Sequence, residues 1–281
     1  MQFFDALVNH TFMQNALLIG VLAGVACGVV GAYVVARRIT YIAGGISHSA
    51  LGGIGVAHYL IVVYGWHWLD PVYGAAAAAL AAALTIGWVS LKGSEREDTV
   101  IGAIWAIGMA VGILFISQTP GYNQQLMGYL FGNILMVSSG DIWLVTVLDL
   151  VIVAIGILFY RQFHIVCFDE EFARTRGINV EFYYLLLLSL TALTVIVLVT
   201  VVGIVMVIAL ITLPVAIAGR FSRTLWQTML LAAGISVVVT TLGLAVSFGL
   251  DFPTGATTIL IAGVAYLLVT FGSSLFRSRQ A

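Results

Sequence analysis

Apolar residues in this chain come in long unbroken stretches separated by short polar punctuation, with neither the alternation of a half-buried strand nor a one-sided helical stripe. In order, the stretches cover residues 17–36, 39–62, 72–91, 99–117, 142–160, 182–200, 203–219, 225–248 and 256–273. A helix needs about 20 apolar residues to cross about 30 Å of hydrocarbon. Lipid offers no partner for a bare amide, so each stretch must close its hydrogen bonds within itself as a helix. The pattern predicts an all-α integral membrane protein, a polytopic bundle of eight to ten transmembrane helices with nine the best fit. Two places strain the count. The connection 201–203 is short for a helical hairpin, and the apolar segment 124–137 is too short for a full crossing and has the length of a re-entrant or interfacial piece.

Composition agrees with the pattern. Hydrophobic residues make up 62% of the 281 and charged residues 8%, with mean hydropathy +1.12, against about 25% charged in soluble domains. The net charge of -1 gives no basic surface for nucleic acid and no polybasic lipid anchor. The opening MQFFDALVNH has no basic n-region, and no removable signal segment is expected. Cys27 in an apolar run and Cys167 in a polar loop form no disulfide or zinc framework.

The charges set an orientation. With Arg37 and Arg38 placed inside, nine alternating spans put Lys92, Arg96, Arg161, Arg174, Arg176, Arg220, Arg223, Arg277 and Arg279 on the same side, so all eleven Lys and Arg residues are cytoplasmic. That agrees with the positive-inside bias. The N-terminus then lies outside and the C-terminus inside.

Glycines 20, 24 and 28 share one face of the first span, and glycines 44, 52 and 55 one face of the second. Small residues at such spacing let helix backbones approach in lipid; the same faces can line a path.

Two ionisable residues fall inside spans, His48 and Asp149. Counting from Arg38 and from Arg161 at 1.5 Å per residue places them roughly 15 and 18 Å from the cytoplasmic edge, at similar depth. Intramembrane charges mark pathways or paired groups. If both face one cavity they can form part of a transient cation site, and imidazole suits Zn, Fe, Ni or Cu better than Mg or Ca. The structural alternatives are a neutral His48 bonded to Ser47, Ser49 or backbone, and an Asp149 carboxyl bonded to a hydroxyl on another span. His10, His58, His67 and His164 read as solvated or interfacial.

Residues 161–181 form the longest cytoplasmic connection and contain FDEEFARTRGIN. Asp169 can cap a short helix, Glu170 and Glu171 suit its positive end and Arg174 and Arg176 its negative end, and Gly177 permits a left-handed exit. The helix is either a solvated loop or a handle that a partner grips. The one lysine, Lys92, sits in no GxxxxGK[ST] loop, and there is no HExxH pair or nucleophile with a base at workable spacing. No enzyme is expected.

Six segments together resemble the permease family of zinc, manganese and iron ABC importers: RRITYIAGGISHSALGGIGVA at 37–57, REDTVIGAIWAIGMAVGILFIS at 96–117, LMGYLFGNILMVSSGDI at 126–142, FDEEFARTRGI at 168–178, VVGIVMVIALITLPVAIAGRFSR at 201–223 and GLAVSFGLDFPTGATTILI at 243–261. The resemblance implies a single transmembrane permease domain over 1–281 in a prokaryotic inner (plasma) membrane, binding no cofactor of its own. It implies a second permease copy or paralogue, surrounding lipid, ATP on a separate ABC ATPase subunit, and an extracytoplasmic metal-binding protein that delivers a divalent metal.

It also assigns residues. Segment 168–178, with Asp169, Glu170, Glu171, Phe172, Ala173, Arg174 and Gly177, becomes the ATPase coupling helix, and His48 matches the family's path histidine. The family acid four residues earlier is Gly44 here, and the acid of its FGD motif is Asn133. With Ser47 beside His48, the candidate path set is His48, Asp149, Asn133 and Ser47. Losing two anions weakens Mn2+ coordination by oxygen. That leaves zinc or iron handled through His48, Asp149 taking over as an unusual acid, or a substrate other than a bare cation. The competing classes are a proton- or ion-coupled secondary transporter with His48 and Asp149 as relay, and a membrane scaffold with no path.

Overall fold

The structure is a computed structural model, and its described residues are 2–93, 96–120, 128, 130, 132 and 134–278. Among them there is no strand. Nine helices have the length and hydropathy to cross a membrane, in agreement with the pattern of the sequence. They are α2 (Thr11–Ala36), α3 (Tyr41–Tyr64), α4 (Pro71–Lys92), α5 (Glu97–Ser117), α6 (Ser139–Leu158), α9 (Val180–Val202), α10 (Ile204–Phe221), α11 (Leu225–Leu250) and α12 (Thr254–Ser278). Three short helices complete the set: α1 (Gln2–Asn9), α7 (Tyr160–Phe168) and α8 (Glu170–Thr175). Half of the candidate re-entrant segment 124–137 lies outside the described residues; the described ones include a 3-10 turn at Ile134–Met136.

Polar caps set the ends of the spans. The Asp70 carboxylate accepts from the Val72 amide at 2.8 Å ahead of Pro71, and Gly93 ends α4 at φ +61. Ser138 and Asp141 cap α6 reciprocally, while Asn179 accepts from the Phe182 amide at the head of α9. Each satisfies donors that the first turn leaves open. The connection that looked too short between α9 and α10 is a single glycine: Gly203 takes φ +88, ψ +156, a backbone that strains any side chain.

The glycine faces are packing surfaces. Along α2 and α11, a methyl on Gly28 would stand 2.7 Å from the Ala233 nitrogen and one on Gly24 would stand 3.1 Å from Ser236 Cβ. Along α3 and α5, a methyl on Gly52 would stand 2.7 Å from the Gly108 oxygen and one on Gly55 2.8 Å from the Gly112 oxygen. Dispersion between closely approaching backbones holds membrane helices together where lipid removes the hydrophobic drive. Helices α3, α4 and α5 form one packed group, α2 lies against α11, α10 and α6, and α9 joins the two halves through α4, α2, α3 and α6.

Helices α1 and α7 were not legible in the sequence. Ala6 of α1 is buried against the first span, which begins at Thr11 rather than near residue 17. Helix α7 buries Phe163, Val166 and Cys167. Cys167 is therefore a core residue and not part of a polar loop.

Candidate functional site

Residues 44, 48, 52 and 55 fall on one face of α3, and that face meets α5. His48 is buried at 8% exposure, with its ring stacked on Trp105 of α5 at a centroid distance of 4.7 Å and 18° between planes. The glycines that bring α5 against α3 also press this indole onto the imidazole. Trp105 fills the space beside Gly44 as well: a methyl there would meet the six-membered ring, 2.8 Å from Cη2 and 3.0 Å from Cε3. An acid at residue 44 and this indole position exclude each other.

None of the partners considered for a structural His48, namely Ser47, Ser49 or backbone, bonds its Nδ1 among the described residues. Ser49 donates to the Gly45 carbonyl at 2.9 Å, and Ser47 Oγ and His48 Nδ1 are both buried with no partner among the described residues. Buried polar atoms left this way are rare and call for a specific reason. Trp105 is the residue that sequence reasoning missed. Its signal was there: in 102–112, the one large aromatic shares a helical face with Gly108 and Gly112.

Asp149 is also buried, at 3% exposure, and both carboxylate oxygens lack partners among the described residues. Its helix packs on α2 and α9, and the carboxylate lies within electrostatic reach of the Cys27 thiol. Helices α3 and α6 do not form a closely packed pair among the described residues. Nor do three His, Cys, Asp or Glu side chains converge anywhere among them at metal-binding range. Asn133 lies outside the described residues.

The charged segment folds as its sequence predicts. Asp169 accepts from the Phe172 amide at 2.9 Å, α8 runs from Glu170 to Thr175 with Arg174 in its last turn, and Gly177 exits at φ +73. Ala173 is buried, packed with Val166 and Val180, and Phe172 is exposed. Glu171 is exposed on the same helix.

Arg37, the cap residue at the end of α2, holds this helix in place. Its guanidinium donates to the Val166 carbonyl at 3.0 Å, pairs with the Glu170 carboxylate, and lies 4.9 Å from the Tyr184 ring centroid. Tyr184 in turn donates its hydroxyl to Glu97, in the first turn of α5. A continuous chain of contacts thus runs from α8 through Arg37 and Tyr184 to the helix that carries Trp105. Below α2, the Cys167 thiol sits 3.9 Å from the Tyr33 carbonyl; burial pushes its pKa up to about 12, with Arg37 opposing.

Comparison with known proteins gives this arrangement its class. The chain matches the ABC 3 transport family over residues 9–273 and belongs to that family. It is 41% identical to an uncharacterized membrane protein of Synechocystis over 93% of this chain and 90% of the relative. It is 33% identical to the manganese transport system membrane protein MntC of Listeria monocytogenes, over 95% and 93%. Among solved structures, PsaBC from Streptococcus pneumoniae in complex with Fab superposes with a TM-score of 0.83 at 28% identity, covering 95% of this chain and 94% of that one. The protein is a multi-pass membrane protein of the bacterial inner membrane.

Proposed function

We propose that this chain is the permease subunit of an ATP-driven importer that passes a divalent transition metal from an extracytoplasmic binding protein to the cytoplasm. The observation that carries the reading is its similarity, over nearly its whole length, to a manganese transport system membrane protein. The geometry supports it. A buried imidazole whose Nδ1 has no partner among the described residues lies about 15 Å inside the charged end of the bundle, and a capped cytoplasmic helix is tied to the same end.

In this reading 1–281 is one permease domain, 168–178 docks on a separate ATPase, and two copies or paralogues pair in the membrane. Arg37, Lys92 and the other basic residues face the cytoplasm, following the positive-inside bias. His48 and Ser47 line the path. Manganese is the metal of the named relative, whereas an imidazole with Gly44 beside it favours zinc or iron(II) over a cation that prefers oxygen.

The test is uptake by the permease–ATPase complex in liposomes, with Mn2+, Zn2+ and Fe2+ supplied one at a time. ATP-dependent accumulation of at least one metal, reduced in His48→Ala at unchanged membrane abundance, is expected. The buried, unpartnered Asp149 favours a second reading, a proton relay. Uptake driven by a pH gradient without ATP, and abolished in Asp149→Asn, would establish that reading instead.

A further inference from the structure

We propose that Trp105 is the positioning residue for His48, that Gly44 is the notch that admits its indole, and that this pair sets the metal preference of the path. The inference rests on the importer reading and extends it to a residue outside the matched histidine.

The argument begins with what a stacked ring leaves free. Indole on one imidazole face restricts rotation of the His48 ring but leaves its edge, where both nitrogens lie, outside the stack. One of those nitrogens, Nδ1, has no partner among the described residues although the side chain is more than nine-tenths buried. With no three acidic, histidine or cysteine side chains converging among the described residues, a cation passing here meets fewer than three such side chains among them, His48 included, and keeps oxygen donors, such as water, elsewhere in its shell. A site that holds so weakly suits transit.

The preference of such a site depends on how rigidly the nitrogen is presented. Nitrogen donors favour zinc and iron(II) over manganese in the usual divalent order. A freely turning imidazole weakens zinc and iron(II) more than manganese, because only a cation that binds through the nitrogen has to repay the cost of ordering it. Trp105 itself is fixed at both ends of its helix segment. Gly52 and Gly108 set the helix separation above it, and Glu97, two turns below, is tied to Tyr184 and so to Arg37. The indole is half-buried, stacked on His48 and set against Gly44.

A double-mutant cycle on the permease–ATPase complex tests this. Trp105→Ala should raise the apparent KM for Zn2+ by about two- to tenfold, the factor that corresponds to losing one aromatic pair, and should narrow the preference for Zn2+ over Mn2+. Trp105→Phe should restore most of both. In a His48→Ala background, Trp105→Ala should change neither. Gly44→Ala should reproduce the Trp105→Ala profile, because its methyl displaces the indole, and should add nothing on top of Trp105→Ala. Additive effects in the His48 cycle, or an equal fall for all metals in turnover with KM unmoved, would reduce Trp105 to a packing residue.

A binding readout separates this inference from the importer reading. In a permease whose other five tryptophans (66, 68, 88, 143 and 226) are phenylalanine, Co2+ should quench Trp105 fluorescence and His48→Ala should remove the quenching. If the wild-type complex transports no metal, the importer reading fails. Quenching that survives His48→Ala overturns the positioning role whatever the transport result.

Discussion

Arg37 and Glu170 form an ion pair that ties the C-terminal cap of the first span to the first turn of α8. The two are 133 residues apart along the chain, and the pair is reinforced by the Arg37 bond to the Val166 carbonyl, 129 residues away. A half-exposed ion pair contributes at most about 1 kcal/mol, whereas a charged donor on a buried carbonyl contributes about 1.5–3 kcal/mol. Arg37 should therefore matter more than Glu170. Glu170→Gln is expected to leave coupling nearly intact, and Arg37→Met to lower the ratio of metal moved to ATP hydrolysed by severalfold. Equal effects in a reconstituted transport and hydrolysis assay would show that the ion pair, not the carbonyl bond, is what holds α8.

Gly177 separates a backbone requirement from a packing one. It leaves α8 at φ +73, and a methyl placed on it would touch nothing within 4 Å. Only conformation restricts the position. Gly177→Val should cost about 1–2 kcal/mol of local strain and shift the helix exit, uncoupling hydrolysis from uptake. Gly177→Asn, which tolerates the left-handed region, should keep the wild-type stoichiometry. Loss of coupling in both variants would refute the conformational argument.

The α2–α11 crossing gives a stability test. Gly28→Ala would drive a methyl to 2.7 Å from the Ala233 nitrogen and 2.9 Å from its Cα, where backbone cannot yield cheaply. A loss of about 1–3 kcal/mol is expected from such overpacking, visible as a lower unfolding temperature of the detergent-solubilised protein. Gly102→Ala, with open space around it, is the matched control and should leave that temperature unchanged or slightly raised.

These residues also show what a sequence can disclose in this fold. The spans were legible because lipid forces long apolar runs into helices, and the charged ends were legible because Lys and Arg cluster between them. The cap at Asp169 and the exit at Gly177 were legible for a local reason: both act within one helical turn. Helix α7 was not, since Phe163, Val166 and Cys167 become apolar contacts only once α2 and α9 lie beside them. His48 was found as an intramembrane histidine, but its partner was not, because stacking on Trp105 depends on the α3–α5 separation set by four glycines on two helices. Asp149 matched His48 in estimated depth; depth along a span carries no information about azimuth, and its helix packs on α2 and α9 instead.

Cys167 provides a reporter for whether α8 and α7 stay seated. Its thiol is buried, with its pKa raised from 9.0 to about 12, chiefly by desolvation, with Arg37 pulling the other way. The sign follows directly. A folded-state value above the unfolded one favours folding below pH 9, and the contribution is lost as pH rises from there towards 12. Only the thiolate reacts with maleimide, so at pH 7.5 the thiolate fraction is about a thousandfold below that of an unshifted thiol at 9.0. In a Cys27→Ala background, labelling of the membrane-embedded protein should be correspondingly slow. Arg37→Met then separates two outcomes. If α7 stays docked, losing the nearby positive charge raises the thiol further and labelling slows; if Arg37 holds the segment in place, α7 detaches, Cys167 meets water and labelling accelerates by orders of magnitude. The tie between Arg37, Val166 and Glu170 predicts acceleration, and slowed labelling in Arg37→Met would mean that the packing of Phe163 and Val166 suffices to keep the cytoplasmic helices in position.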